Sequence, residues 1–174
     1  MKRREEGFTL VELLMVVAII GILASMAITG VLRARQAANE VSAIGSLRTI
    51  TSGEVVYSAT CAQGNYAVDL TVLGSNPPLS PIPFLPPDLT NAVIVQKSGF
   101  RITLAPSMAS VAGTVNDCNG NPTQTGFYAT AVPTTFGTTG SRSFATLSPT
   151  NVIWQSFTAL PPAEPFNPPA QFVQ

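Results

Sequence analysis

Glu12 is the one ionisable side chain among the 25 residues from Phe8 to Leu32, inside the stretch "REEGFTLVELLMVVAIIGILASMAITGVL" (4–32). A charged side chain in the middle of a bilayer costs about 2.5–3.5 kcal/mol on insertion scales, and such residues are usually functional. The chemistry that would account for it is charge neutralisation. Cleavage between Gly7 and Phe8 would create an α-amino group one helical turn from Glu12, and cation and carboxylate would then compensate each other. The other reactive pair is Cys61 and Cys118, too far apart for a metal motif such as C-x-x-C. One disulfide in an oxidising compartment is the natural reading, worth about 4 kcal/mol in the chain-entropy account. Two separate buried thiols are the alternative. The chain has no histidine, which removes the usual general base, the usual zinc ligand and every Ser-His or Cys-His nucleophile. We therefore expect no enzyme, no catalytic residue, no metal and no cofactor.

These residues need an element to position them. A helix from Phe8 to Leu32 would be roughly 37 Å long, enough to span a hydrocarbon core of about 30 Å with some tilt. Three readings compete for it. A secretory signal peptide would be cut after Ser25-Met26-Ala27, leaving Ile28 first, but the run is long and Glu12 would sit inside its apolar region. A plain membrane anchor fits the length and leaves Glu12 without a partner. Cleavage after Gly7 accounts for both the glycine and the glutamate.

"GFTLVELLMVVAIIGILA" resembles the processing and assembly signal of type IV prepilins and type II secretion pseudopilins. The matching features are the basic leader "MKRREEG", Gly7 at the cut, Phe8 as new N-terminus, Thr9, Glu12, and unbroken Leu, Val, Ile and Ala thereafter. The resemblance implies that a prepilin peptidase cleaves between Gly7 and Phe8 on the cytoplasmic side and methylates the Phe8 amine. It implies that Glu12 pairs with the N-terminal amine of a neighbouring copy as a filament grows, so that an unpaired carboxylate penalises wrong axial register. Pairing only with its own amine is the plainer alternative. It also implies membrane lipid around the helix before assembly, an inner-membrane assembly platform with its ATPase, and a head in the periplasm or outside the cell. Lys2, Arg3 and Arg4 before the segment nearly balance Arg33, Arg35 and Arg48 after it, so charge alone does not orient it.

Past Leu32 the absence of proline predicts continuation of the helix to about Ser58. Ala37, Val41, Ile44, Leu47, Thr51 and Val55 recur at spacings of three and four. This predicts a buried stripe, with Arg35, Gln36, Glu40, Arg48 and Glu54 facing solvent. Asp69 to Leu73 reads as a short helical turn, and the prolines from Pro77 to Pro87 as an extended connection rather than a polyproline ligand. "AVIVQKSGFRITLAP" (92–106) reads as two strands around Lys97-Ser98-Gly99, and "GFYATAVPTT" (126–135) as a third. "GTTGSRSFATLSPTNVIWQSF" (137–157) adds a turn, Arg142 to Thr146, and a last strand about Val152 to Phe157. This layout resembles pilin-like proteins with a "KSGY" hairpin followed by "TG-x-R-x-F", although Phe100 stands where tyrosine is usual. The tail "LPPAEPFNPPAQFVQ" reads as extended, lying on a neighbour or loose.

The expected organisation is a leader (1–7), a membrane-spanning or filament-core helix (8–32), an amphipathic continuation (33–60), a Pro-rich loop (61–91), an antiparallel head (92–158) and a Pro-rich tail (159–174). The fold class is α+β, pilin-like: a long N-terminal helix packed on a small antiparallel sheet. From Val55 onward only seven residues in 120 are charged, far below the roughly 25% of soluble domains, so the head surface should be neutral and hydroxyl-rich. Nine basic residues balance nine acidic ones, and no nucleic-acid footprint results. "NDCNGNP" (116–122) fails as a calcium loop, with Pro122 where glycine is needed and Tyr128 where glutamate is needed. No phosphate-binding loop, nucleophile elbow or dinucleotide fingerprint occurs. The expected function is a filament subunit of a type IV pilus; a type II secretion pseudopilin and an exported binding protein with an ordinary signal peptide are the alternatives.

Overall fold

No proline precedes Pro77, and one α-helix, α1, runs unbroken from Leu10 to Thr60. The computed structural model describes residues 7–78 and 80–173, Thr29 by its backbone alone. The basic leader residues 1–6 lie outside the described residues. The chain divides into two units, Met1–Arg35 and Gln36–Gln174. In the first, α1 exposes its apolar side chains throughout.

In the second unit α1 packs on a six-stranded antiparallel sheet. The elements after it are β1 (Tyr66–Ala67), α2 (Leu70–Leu73), β2 (Ile94–Lys97), β3 (Phe100–Pro106), β4 (Thr123–Gln124), β5 (Phe127–Pro133), β6 (Ser143–Leu147), β7 (Ile153–Ser156) and β8 (Gln171–Phe172). The large sheet has the order β2-β3-β5-β6-β7-β8, and β1 pairs with β4 in a separate ribbon. Alternation within the strands puts Phe100, Ile102, Leu104, Phe127, Ala129, Ala131, Phe144 and Ile153 on one face. They form a single core with Ala43, Leu47 and Ile50 of α1. Each fully buried large side chain among them contributes about 1.5–3 kcal/mol.

The buried face of α1 differs from the expected stripe. Glu40, Ala43, Leu47, Ile50, Glu54 and Tyr57 are buried, whereas Val41 and Val55 are exposed. The face is displaced by one residue, which is about 100° of rotation. Glu40 and Glu54, expected in solvent, are 4% and 0% exposed, and Gln36 donates to the Gly137 carbonyl. The physical reason is that groups elsewhere in the chain meet both side chains: Ser141 and Arg142 hold Glu40, and the Ala67 N–H donates to Glu54. Glu40 Oε1 accepts from the Ser141 N–H (2.7 Å) and hydroxyl (2.9 Å), and Oε2 from Arg142 Nε (2.9 Å) and Nη2 (2.6 Å). Arg142 also donates to Gln155 Oε1 at 2.9 Å.

The same clasp explains the local sequence Thr139-Gly140-Ser141-Arg142-Ser143-Phe144. The Thr139 carbonyl accepts from Asn39 of α1. A Cβ on Gly140 would come within 2.5 Å of the Phe100 ring. Ser141 and Arg142 hold Glu40, and Phe144 enters the core. The β2–β3 hairpin turns through Ser98 (φ 48°) and Gly99 (φ 71°), the two positive angles of a tight hairpin turn. The Ser98 hydroxyl is tied to Ser42 of α1 at 2.9 Å.

Three further expectations are refined. Asp69 caps α2 by accepting from the Thr71 and Val72 amides, a standard N-cap arrangement. Ser143–Leu147 is a strand between β5 and β7 rather than a turn. Val152–Phe157 is not the final strand, and the tail is neither loose nor left to a neighbour. It lies on the head's own outer sheet face, where Phe166 packs on Trp154 (5.3 Å between ring centres) and Tyr128 (6.2 Å), and the Tyr128 hydroxyl donates to the Pro162 carbonyl. Aromatic contacts such as these outweigh the loss of chain freedom that five prolines already limit.

Glu40→Ala leaves Arg142 without its carboxylate in a half-buried site. Urea unfolding followed by the fluorescence of Trp154 should show a loss of about 3 kcal/mol or more. Burial pushes the Glu40 carboxyl up, but the Ser141 N–H, the Arg142 guanidinium and the Ser141 hydroxyl outweigh it and hold it below the ordinary 4.5. Its contribution is therefore complete above about pH 4.5 and is lost as pH falls below that, a dependence the alanine variant should lack.

Candidate processing and assembly site

Gly7, Phe8 and Thr9 precede the first helical turn. An α-helix leaves its first four N–H groups without internal partners, and here Thr9 and Glu12 satisfy two of them. The Thr9 hydroxyl accepts from the Glu12 N–H at 3.2 Å. Glu12 Oε2 accepts in return from the Thr9 N–H and the Thr9 hydroxyl, both at 2.9 Å. This is a capping box, the reciprocal pattern of Ser/Thr followed three residues later by Glu. Glu12 thus has a capping role beside the ionic one expected of it, and the T-x-x-E spacing of Thr9 and Glu12 is its signal in the sequence.

The Gly7–Phe8 peptide bond lies in non-helical chain, with Phe8 83% exposed. That is the condition under which a peptidase can draw a backbone into extended form. Nothing within the described chain requires a glycine at this place, since a Cβ added to Gly7 would meet no atom within 4 Å. While Gly7 is attached, the Phe8 nitrogen is an amide, and the Glu12 carboxylate serves the helix start alone.

From Leu10 to Leu32 the apolar side chains of α1 are exposed; Leu10, Ile20 and Met26, for example, keep more than half of their surface. The helix is long and apolar enough to cross a membrane. Ser25 returns its hydroxyl to the Ile22 carbonyl at 2.7 Å, which satisfies it without water. Gly21 has open space where a Cβ would sit, and Ser25 lies on the same helix face four residues on. Small residues so placed allow close approach of another helix.

Cys61 and Cys118, the other predicted pair, are joined, with 4.9 Å between their Cα atoms. The bond sits where α1 stops. Gln63 and Gly64 both take positive φ (53° and 92°), and the Gly64 N–H returns to the Ser58 carbonyl at 2.9 Å, closing the helix end. Beside the disulfide, Asp117 is occupied by its own loop. It accepts from the Asn119 N–H, the Asn121 N–H and side chain, and the Tyr57 hydroxyl. Burial pushes Asp117 up, but these donors prevail and hold it below its ordinary range. Its role in "NDCNGNP" is to fold a turn. Among the described residues no group of three or more acidic, cysteine or histidine side chains could hold a metal ion.

Residues 2–28 match the family described as the prokaryotic N-terminal methylation motif, the prepilin-type signal of type IV pilins and pseudopilins. No curated protein and no solved structure is matched.

Removing the Thr9 hydroxyl should loosen the helix start without touching its apolar surface. In Thr9→Ala, amide exchange at Glu12, measured on the full chain in detergent micelles, should quicken about fivefold, the equivalent of ~1 kcal/mol for one N-cap.

Proposed function

We propose that this protein is a structural subunit of a type IV pilus-like filament, not an enzyme. It is inserted in the inner membrane as a prepilin, cleaved by prepilin peptidase between Gly7 and Phe8, and methylated on the Phe8 amine. It then polymerises with copies of itself through the helix from Phe8 to Leu32, driven by an inner-membrane platform and its ATPase. Its head faces the periplasm or the exterior.

The observation that carries this reading is the methylation motif at residues 2–28, which from Leu10 onward lies on a helix whose apolar side chains are exposed. Lipid covers that surface before assembly, and neighbouring copies cover it afterwards. The pilin-like α+β arrangement of the head agrees. Gly7 supports the processing step, because its lack of a side chain serves no contact within the described chain and is left to be read by a peptidase.

Cleavage changes the electrostatics of Glu12. The Phe8 nitrogen becomes an ammonium one turn away, and a carboxylate so far committed to the Thr9 cap acquires a cation partner. In a filament, that partner is supplied by a neighbouring copy. A subunit docked in the wrong axial register would leave a carboxylate unpaired among apolar side chains, at a cost of several kcal/mol. Glu12 thereby fixes the register.

Intact mass and N-terminal sequencing of the purified subunit should show a chain that begins at methylated Phe8; a chain that begins at Ile28 would mean an ordinary signal peptide. Gly7→Val should keep the head fold while leaving the leader attached. Glu12→Gln should be inserted and processed yet polymerise poorly, and normal filaments from that variant would overturn the register role.

A further inference from the structure

Ala67 of β1 is held by two buried side chains from distant parts of the sequence. Its N–H donates to Glu54 Oε2 at 3.0 Å, and its carbonyl accepts from Gln124 Nε2 at 2.5 Å. In an extended strand the N–H and C=O of one residue point to the same side, so the carboxyl and the amide lie beside each other. Glu54 is 0% exposed and Gln124 is 2% exposed.

The remaining oxygen of the Glu54 carboxyl, Oε1, and the amide oxygen of Gln124, Oε1, are both buried with no hydrogen-bond partner. Two neighbouring acceptors lack a donor. Turning the amide over would only set its oxygen against the Ala67 carbonyl. No cation forms an ion pair with Glu54 among the described residues. A buried carboxylate with one hydrogen bond and no cation is costly, and the carboxylic acid removes the difficulty at both atoms at once.

We propose that Glu54 carries a structural proton, donated from Oε1 to the Gln124 side-chain oxygen, and that this proton latches the β1–β4 ribbon to α1. The closed ring runs from the Ala67 N–H to Glu54, from the Glu54 O–H to Gln124, and from the Gln124 N–H back to the Ala67 carbonyl. When the latch opens at higher pH, the proton passes to bulk water, and the charged carboxylate cannot stay where it was.

The surroundings act in the same direction. Burial pushes the Glu54 carboxyl up to about 8, against the opposing effect of the Ala67 N–H. The titratable groups that face it are Tyr57, one turn further along α1, and Asp117, which receives the Tyr57 hydroxyl at 2.9 Å. Burial, then the neighbouring Asp117, keeps Tyr57 neutral. β1 brings Tyr66, and neither β4 nor α2 brings a titratable side chain. Thr51, one turn earlier on α1, has a buried hydroxyl also without a partner, so it does not supply the missing donor.

The sign follows from linkage. The folded head holds this proton up to about pH 8, while an unfolded or opened chain releases it near 4.5. The stability it confers is complete below about 4.5 and is lost as pH rises to about 8. The test is amide exchange at Ala67 in the full chain in detergent micelles, corrected for intrinsic rates. The opening equilibrium should rise about tenfold per pH unit between about pH 5 and 8 and level off above, as linkage to one proton requires. Glu54→Gln, whose amide offers the same acceptor and a permanent donor, should keep Ala67 protected with a flat profile. A flat profile in the native chain, or an undiminished slope in the variant, overturns the proposal. Infrared spectra give a second readout that does not depend on the variant folding. The native chain at pH 6.5 should show a protonated carboxyl band, and its absence overturns the proposal on its own.

Discussion

Taking a carboxylate out of water costs several kcal/mol unless a cation, a set of donors or a proton compensates it, and α1 places three glutamates under that constraint. Glu40 is met by an arginine and a serine from the sheet. Glu54 has one backbone donor and, on our proposal, a proton. Glu12 caps its own helix and, on the proposed processing, gains an ammonium as partner. Each solution draws on a different source: a distant element, the proposed proton, and the proposed cleavage of the chain.

The Glu40 clasp has the widest structural consequence, because it decides which side of α1 meets the sheet. Four hydrogen bonds converge on one carboxylate from two adjacent residues, Ser141 and Arg142. That geometry tolerates little rotation of the helix. With Glu40 fixed, Ala43, Leu47 and Ile50 follow into the core at helical spacing, and Tyr57 comes round to meet Asp117. At the far end the Cys61–Cys118 bond ties the last turn to the same loop. A small core of alanines and single large side chains, such as Phe100 over Gly140, gains its definition from these two fixed points.

The elements of the fold were legible where local rules govern them. The unbroken helix, the short helical turn at Asp69 to Leu73, the hairpin at Ser98-Gly99 and the strand over Phe127–Pro133 all follow from short-range spacing. The face of α1 was not legible, because an apolar count assigns Glu40 and Glu54 to solvent. Their partners are 101 residues away for Ser141 and 13 residues away for Ala67, and no periodicity reports on them. The tail was misread for a related reason: its prolines mark an extended chain, but only the sheet register reveals that Trp154 and Tyr128 offer Phe166 a surface. In the candidate site, Gly7, Phe8 and Glu12 stand out by chemistry alone, whereas Thr9 emerges only once the helix start is placed.

The scarcity of charge in the head now has a physical role in the proposed filament. Six of the seven charged residues after Val55 are engaged within the head. Asp69 caps a helix, Asp88 pairs with Lys97, Asp117 folds its loop, Arg142 holds Glu40, and Glu164 accepts from the Met108 N–H. A polymer of identical subunits repeats every exposed charge at each rise, so that like charges face one another at some registers and not at others. A nearly neutral head contributes little to that pattern. The choice of register then falls to the one charge in the apolar helix, where low dielectric makes a single pair strong. A neutral head and a lone glutamate are, in this sense, two halves of one arrangement.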